Sequence, residues 1–508
     1  MGPSWVDPVT GEILNASVIV YNDIIKLINN WRFVQTAQVD ERVRSKKMPK
    51  DVVDESMVYV IAHEIGHTLG LMHNMGASSA FPVDSLRSVS FTQKYGTTPS
   101  IMDYARHNYV AQPEDKGVKL TPPDLGVYDE YVIQWLYTPV PEAKDMWEEA
   151  EIASRLIDEK AGDPFYRYGR QQIQSQGFGQ YDPSALMEDL GDDPIKAGNY
   201  GIKNLKYILP RMNEWIESDE DTRHRQSLYT QIVNQYYRYL TNALYQIGGI
   251  YLTEVKDGTS GNPVIPVDRE RQKSSLFWVL KELRSCDWIN NPELTNKFPL
   301  HTKMSSKICA LVASNLLTTI PTNVTLSAHV AQEKNAYTIQ EYFNDLYNEV
   351  FSSTLRDRKL TNEEKILQRS IVTAMAKPMI AEKNAQKITA DPIVTIEPSL
   401  PSLEELRFLG LIHPVLLDRF ETQLEYLEEK FGKGAVASAL LTEQFGESRF
   451  PFQKAVKVND ISEIDIYKQN MVDKINKLLK NKRTNAHADD KAHYEYLWRQ
   501  TRNALDVN

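Results

Sequence analysis

His63-Glu64-Ile65-Gly66-His67-Thr68-Leu69-Gly70-Leu71-Met72-His73 is the stretch on which the reading of this chain turns. At about 3.6 residues per turn, His63 and His67 project from one face of a helix, one turn apart, and both imidazoles reach a single ion. Gly70 falls where that helix has to stop, because a further ligand on the same helix would point away and glycine tolerates the positive φ of a sharp reversal. The chain then returns with His73. Three neutral imidazoles with an open fourth position describe a catalytic zinc site, whereas structural zinc sites are closed by four ligands and rich in cysteine. Glu64 is left free to act as a base. With 10 histidines and 23 glycines in 508 residues, the whole pattern is expected by accident in roughly 2 of 100,000 such chains.

A second motif follows at Ser100-Ile101-Met102-Asp103-Tyr104. Together the two resemble the metzincins, zinc endopeptidases that pair HExxHxxGxxH with a methionine-containing turn beneath the metal. The resemblance covers about residues 10–140. Ser-Ile-Met-x-Tyr is most similar to the astacin and serralysin form, and this implies that Met102 floors the site. Tyr104 would stabilise the oxyanion or occupy a fifth coordination position. A longer pattern resembles the Met-zincin domain of large bacterial, Bacteroidetes-type zinc metalloproteases. It comprises Asp7-Pro8-Val9-Thr10-Gly11-Glu12-Ile13-Leu14-Asn15-Ala16, the zinc motif followed by Asn74, and Asp124-Leu125-Gly126-Val127-Tyr128-Asp129. Less specific matches are Glu188-Asp189-Leu190-Gly191-Asp192-Asp193 and Tyr200-Gly201-Ile202-Lys203-Asn204-Leu205.

Bulk properties set limits around these motifs. The chain is 42% hydrophobic and 25% charged, ordinary for a globular protein, and its net charge of −10 argues against nucleic acid as a principal partner. Cys286 and Cys309 are too few for a disulfide scaffold and read as two buried thiols, although one bridge is open to them. No cysteine precedes His63, so a zinc-capping propeptide cysteine of the matrixin kind is not encoded here. The first residues do not read as a signal peptide, and no apolar run reaches the ~18 residues that span a bilayer; 308–320 comes nearest. The family resemblance implies instead a periplasmic, cell-surface or secreted setting.

Outward from the motif, residues 12–20 read as a strand after a Pro-x-Thr-Gly turn. It occupies the place of a metzincin rim strand, so Glu12, Ile13, Leu14 and Asn15 are candidates to pair with an extended peptide substrate. Ile24, Leu27, Ile28 and Trp31 predict a helix within 21–38. Asp51 is expected to cap the zinc helix, with Val52, Val53, Met57, Val60, Ile61 and Leu69 burying it. Residues 74–99 read as loops, Arg106 and His107 as a solvated pair, and Thr121-Pro122-Pro123-Asp124 as the start of another helix. Beyond Pro139 the pattern turns helical. A helix is expected over 222–247, a hairpin near 250–268, further helices over 303–384, a linker over 389–401, and two more helical blocks with a solvated basic face at Lys477, Lys480, Lys482 and Arg483. Glu188, Asp189, Asp192 and Asp193 raise calcium as a second ion, but they lack an ordered loop pattern and read better as a capped helix start.

The expected architecture is α+β and predominantly helical. A metzincin-like core over 1–139 is followed by a mostly helical region over 140–390 and a C-terminal helical region over 391–508. Only 62 residues precede His63, too few for a full metzincin upper sheet, so part of that sheet and any export signal are expected upstream in a larger precursor. The expected function is a zinc endopeptidase with one Zn²⁺ per chain, Glu64 as general base and a peptide or protein as substrate. Two alternatives stand beside it, a catalytically silent zinc-containing scaffold and a zinc hydrolase of a non-peptide amide.

Overall fold

The structure is a computed structural model that describes residues 4–21, 23–170, 172, 180–298, 303–331, 335–388 and 462–505. The chain divides into one unit of Met1–Pro378 with Ile461–Asn508 and a second of Met379–Asp460. The second lies almost wholly outside the described residues, as do the expected linker at 389–401 and the helical block from Leu403.

The described part of the first unit is mostly helical, with two small sheets. Strands β1 (Ser4–Val6) and β2 (Ile13–Ala16) pair antiparallel, with Ser4 opposite Ala16. The expected strand over 12–20 is thus four residues long and belongs to a hairpin closed by the Asp7 turn, where Asp7 Oδ1 accepts the Val9 N–H at 2.7 Å. Strands β3 (Ile250–Leu252) and β4 (Val264–Pro266) form the expected second hairpin.

Helices α1 (Asp23–Thr36) and α2 (Lys50–Thr68) carry the motif region. Arg32, 1% exposed on α1, binds Asp40 at 3.3 Å and Glu55 of α2 at 2.9 Å. A buried guanidinium without its partners would cost several kcal/mol, so this pair of bonds fixes the two helices to each other. Asp51 does not cap α2: Pro49 holds the N-cap position and Asp51 lies in the first turn, where its charge suits the helix dipole. The buried stripe also differs from the expected one. Val52, Ser56, Tyr59, His63 and Gly66 are buried, at spacings of four and three, while Leu69 is 39% exposed. Choosing apolar residues alone missed that the stripe runs through polar positions.

A short helix, α3 (Val89–Tyr95), lies in the segment read as loops, and α4 (Val127–Tyr137) starts after Gly126, later than the Thr121 start expected. The two prolines at 122 and 123 are spent in the loop before it. Next come α5 (Met146–Asp158), α6 (Pro194–Ile208), α7 (Arg223–Leu244) and α8 (Arg269–Arg284). The polar residues Arg225 and Gln235 of α7 are buried; Arg225 binds Asn213 Oδ1 and the Asp219 carbonyl, and Gln235 receives the amide of Gln35 from α1. Helices α9 (Met304–Leu317) and α10 (Thr319–Val330) together are long and apolar enough to cross a membrane, but 56% of that window is buried inside the protein. Helices α11 (Ile339–Val350), α12 (Asn362–Ile388), α13 (Ser462–Asn485) and α14 (Ala488–Leu505) complete the described part. Cys286 and Cys309 are free and buried, with sulfurs 4.0 Å apart.

Candidate metal centre

The three histidines of the motif converge. Their nearest nitrogens all lie within 4.8 Å of one another, and among the described residues this is the one group of three or more His, Cys, Asp or Glu side chains so arranged. Ring centres are 4.8 Å apart for His63 and His67, 5.2 Å for His63 and His73, and 4.6 Å for His67 and His73. Helix α2 delivers the first two. It stops at Thr68; Gly70 takes φ +88°, and the reversal brings His73 back beside them.

Two backbone carbonyls set the tautomers. A carbonyl only accepts, so His63 Nδ1, 2.6 Å from the Ile101 oxygen, and His67 Nδ1, 2.8 Å from the Leu71 oxygen, both carry the proton. In the neutral ring each Nε2 then presents a lone pair. His63 Nε2 is buried without a hydrogen-bond partner, and His67 Nε2 faces His73 Nε2 at 3.1 Å. Burial, partly opposed by the Ile101 bond, pushes His63 down to about 4, so it is neutral at pH 7. A buried orphan acceptor beside a second lone pair, each ring locked from behind by a carbonyl, is the donor set of a metal that takes imidazoles. The residues fit zinc.

The methionine turn sits beneath. Met102 is fully buried in a cluster with Tyr59, Leu71 and Ile101, and a Cβ at Gly66 would come within 2.5 Å of its sulfur. A side chain at Gly66 would therefore displace the Met102 thioether, a role its place inside the motif did not reveal. Asp129 of α4, 2% exposed, holds the turn by accepting from Ser100 Oγ at 2.7 Å, Ile101 N at 2.8 Å and Gly126 N at 2.7 Å. Asn74 ties the return loop to it, its N–H donating to the Met102 carbonyl at 3.0 Å. Its side-chain oxygen accepts the Gly169 N–H at 2.8 Å. Asp129 and Asn74 appeared in the sequence only as family-like letters; nothing in their spacing announced these bonds to loop backbone.

Tyr104 stands over the cluster, its ring centre 5.3 Å from that of His63 and 4.7 Å from that of His73. Glu64 is half-buried on α2, one residue after His63. Arg106 and His107, expected in solvent, are not there. Arg106 adopts φ +63° and stacks its guanidinium 3.7 Å from the Trp31 ring centre and 4.9 Å from that of Tyr104, while its Nε binds Glu188 at 3.3 Å. His107 is 2% exposed, and burial, with Arg32 and Arg106 adding to it, holds its imidazole neutral. Of the candidate rim residues, Leu14 is 63% exposed, Glu12 and Asn15 are exposed, and Ile13 is half-buried near the end of α2, 3.8 Å from where a Gly70 side chain would start. Of the four acids considered for calcium, Glu188 pairs with Arg106 and Arg238, Asp192 accepts the Val83 N–H, and Asp193 caps α6.

The Met-zincin family model matches residues 45–358, well over half of the chain, and the chain belongs to that family. No curated protein and no solved structure matches it.

Proposed function

We propose that this chain is a zinc-dependent endopeptidase, with one zinc held by the Nε2 atoms of His63, His67 and His73. The observation that carries the reading is the pair of carbonyl-locked imidazoles whose Nε2 lone pairs converge with His73, one of them buried and unpartnered. Family membership supports peptide as the substrate class. Zinc, when bound, supplies a Lewis acid that activates water and polarises the scissile carbonyl. The Glu64 carboxylate takes a proton from the attacking water and returns it to the leaving amine. The Tyr104 hydroxyl, on a ring held beside His63 and His73, donates to the developing oxyanion. Glu12 and the β2 residues Ile13, Leu14 and Asn15 align an extended substrate. The core that does this occupies residues 1–139 on a metzincin-like plan, followed by the regions 140–390 and 391–508.

The test is a digest of an unbiased peptide mixture by the zinc-reconstituted chain, read by mass spectrometry. Cleavage that needs both the metal and Glu64 supports the reading. A chain that holds one zinc and cleaves no peptide is a scaffold or a hydrolase of another amide.

A further inference from the structure

Two carboxylates behind the methionine turn take no part in that chemistry. Asp103, directly after Met102, is fully buried; its Oδ2 accepts the Ser78 N–H at 2.6 Å and the Thr98 hydroxyl at 3.4 Å, but its Oδ1 has no hydrogen-bond partner. Asp189 is 6% exposed, and its Oδ1 is likewise without a partner. The Ser78 hydroxyl, fully buried, is a third such oxygen. The backbone brings them together. The Gly191 N–H donates to the Ser78 carbonyl at 3.2 Å, and the Glu188 N–H to the Tyr104 carbonyl at 3.1 Å, so the loop carrying Asp189 lies across both Ser78 and the turn. The neighbouring cations are engaged elsewhere, Arg106 and Arg238 both on Glu188.

We propose that Asp103 Oδ1, Asp189 Oδ1 and Ser78 Oγ bind a hard divalent cation of the calcium class. Removing two like charges from water without a counter-ion costs several kcal/mol each, and the bare pair shows that cost. Burial pushes Asp103 up to about 7, while burial and then the Asp103 charge drive Asp189 well above the carboxylate range. A single shared proton is the alternative that relieves the two carboxylates; a cation would take lone pairs from all three oxygens at once. Oxygen-only donors exclude a preference for zinc. Full burial of Asp103 and Ser78 suits calcium, which accepts variable geometry and backbone carbonyls, better than magnesium, which keeps several waters in a strict octahedron. Such an ion would clamp the loop after His73, the methionine turn and the 188–191 loop together, and it is independent of whether the zinc site cleaves peptides.

The experiment uses the full chain, stripped of metal, reloaded with one equivalent of zinc and then titrated with CaCl₂. The wild type is expected to retain one calcium per chain in equilibrium dialysis with elemental analysis. Its Tm should rise to a plateau, and it should show tyrosine-sensitised Tb³⁺ luminescence that calcium competes away, with Tyr59 donating to the Asp103 carbonyl at 2.7 Å. Asp189→Asn and Asp103→Asn are expected to lose the calcium and the Tm response while keeping the zinc. A wild type that binds no calcium, with Asn variants as stable as it or more so, would mean that the pair holds a proton and would overturn the proposal. Calcium retained by Asp189→Asn would place the ion elsewhere and overturn it as well. If either variant fails to fold, the calcium count and Tb³⁺ signal of the wild type decide alone.

Discussion

The metal region between Lys50 and Asp129 and the helical pair α13 and α14 are both well buried, yet they are held by opposite means. In the helical pair, apolar stripes meet: Met471, Val472, Ile475 and Leu479 on one helix, Tyr494, Leu497 and Ala504 on the other. Around the histidines, side chains bind loop backbone instead, Asp129 taking three donors and Asn74 tying two loops. An apolar stripe tolerates loss of one contact at a graded cost in stability. A set of backbone bonds fixes positions, and its loss shows first in the geometry of the site.

That contrast can be broken at both ends. Glu64→Gln should lower kcat about 10²–10⁴-fold with zinc content and Tm unchanged, as peptide cleavage kinetics and elemental analysis would show; near-full activity would remove Glu64 from the reaction. Asp129→Ala orphans two buried backbone N–H groups and a hydroxyl and should cost about 3–5 kcal/mol. Its signature is weakened zinc retention beyond what the Tm loss accounts for, measured by competition with a chelator. Leu497→Ala, with Leu497 fully buried in α14, should cost about 2–5 kcal/mol in thermal unfolding while leaving zinc affinity of the folded protein unchanged. A loss of zinc there would erase the distinction between the two regions.

The smallest effect expected is pH-dependent and belongs to the helical side. Burial, with Arg369 and Lys365 adding to it, pushes His493 down to about 4, and its Nε2 lies 3.0 Å from Gln368 Oε1. The unfolded chain, with an imidazole pKa near 6.5, binds the proton that the folded chain refuses, so stability falls as pH drops from about 6.5 toward 4. Between pH 7.5 and 5 this amounts to about 2 kcal/mol. His493→Gln should flatten the Tm profile over that window, and an unchanged slope would assign the dependence to another group.

The same contrast explains what the sequence made legible. Periodicity found α1, α7 and the helices of 303–384, because an apolar stripe is written in the residues that form it. The histidine cluster was legible for a different reason, since ligand spacing on one helix is itself the geometry. What lay between escaped: Arg106, His107, Asp129 and the role of Gly66 depend on contacts between segments far apart in the chain, and a polar residue in a loop looks the same whether it faces water or a buried N–H. The misplaced starts of α2 and α4 have a similar source, because Asp51 and the Pro122-Pro123 pair are acceptable helix-start residues, yet Asp51 sits inside the first turn of α2 and the prolines in the loop before α4.

The carbonyls of Ile101 and Leu71 carry a consequence in time. Neither belongs to α2, so that helix alone, early in folding, leaves both imidazoles free to exchange tautomers and to offer either nitrogen to a metal. Only when the return loop and the methionine turn have closed are the two Nδ1 protons pinned and the Nε2 atoms committed. The donor set that the proposed zinc would use is therefore complete only in the folded chain, where His63 meets the Ile101 carbonyl 38 residues away.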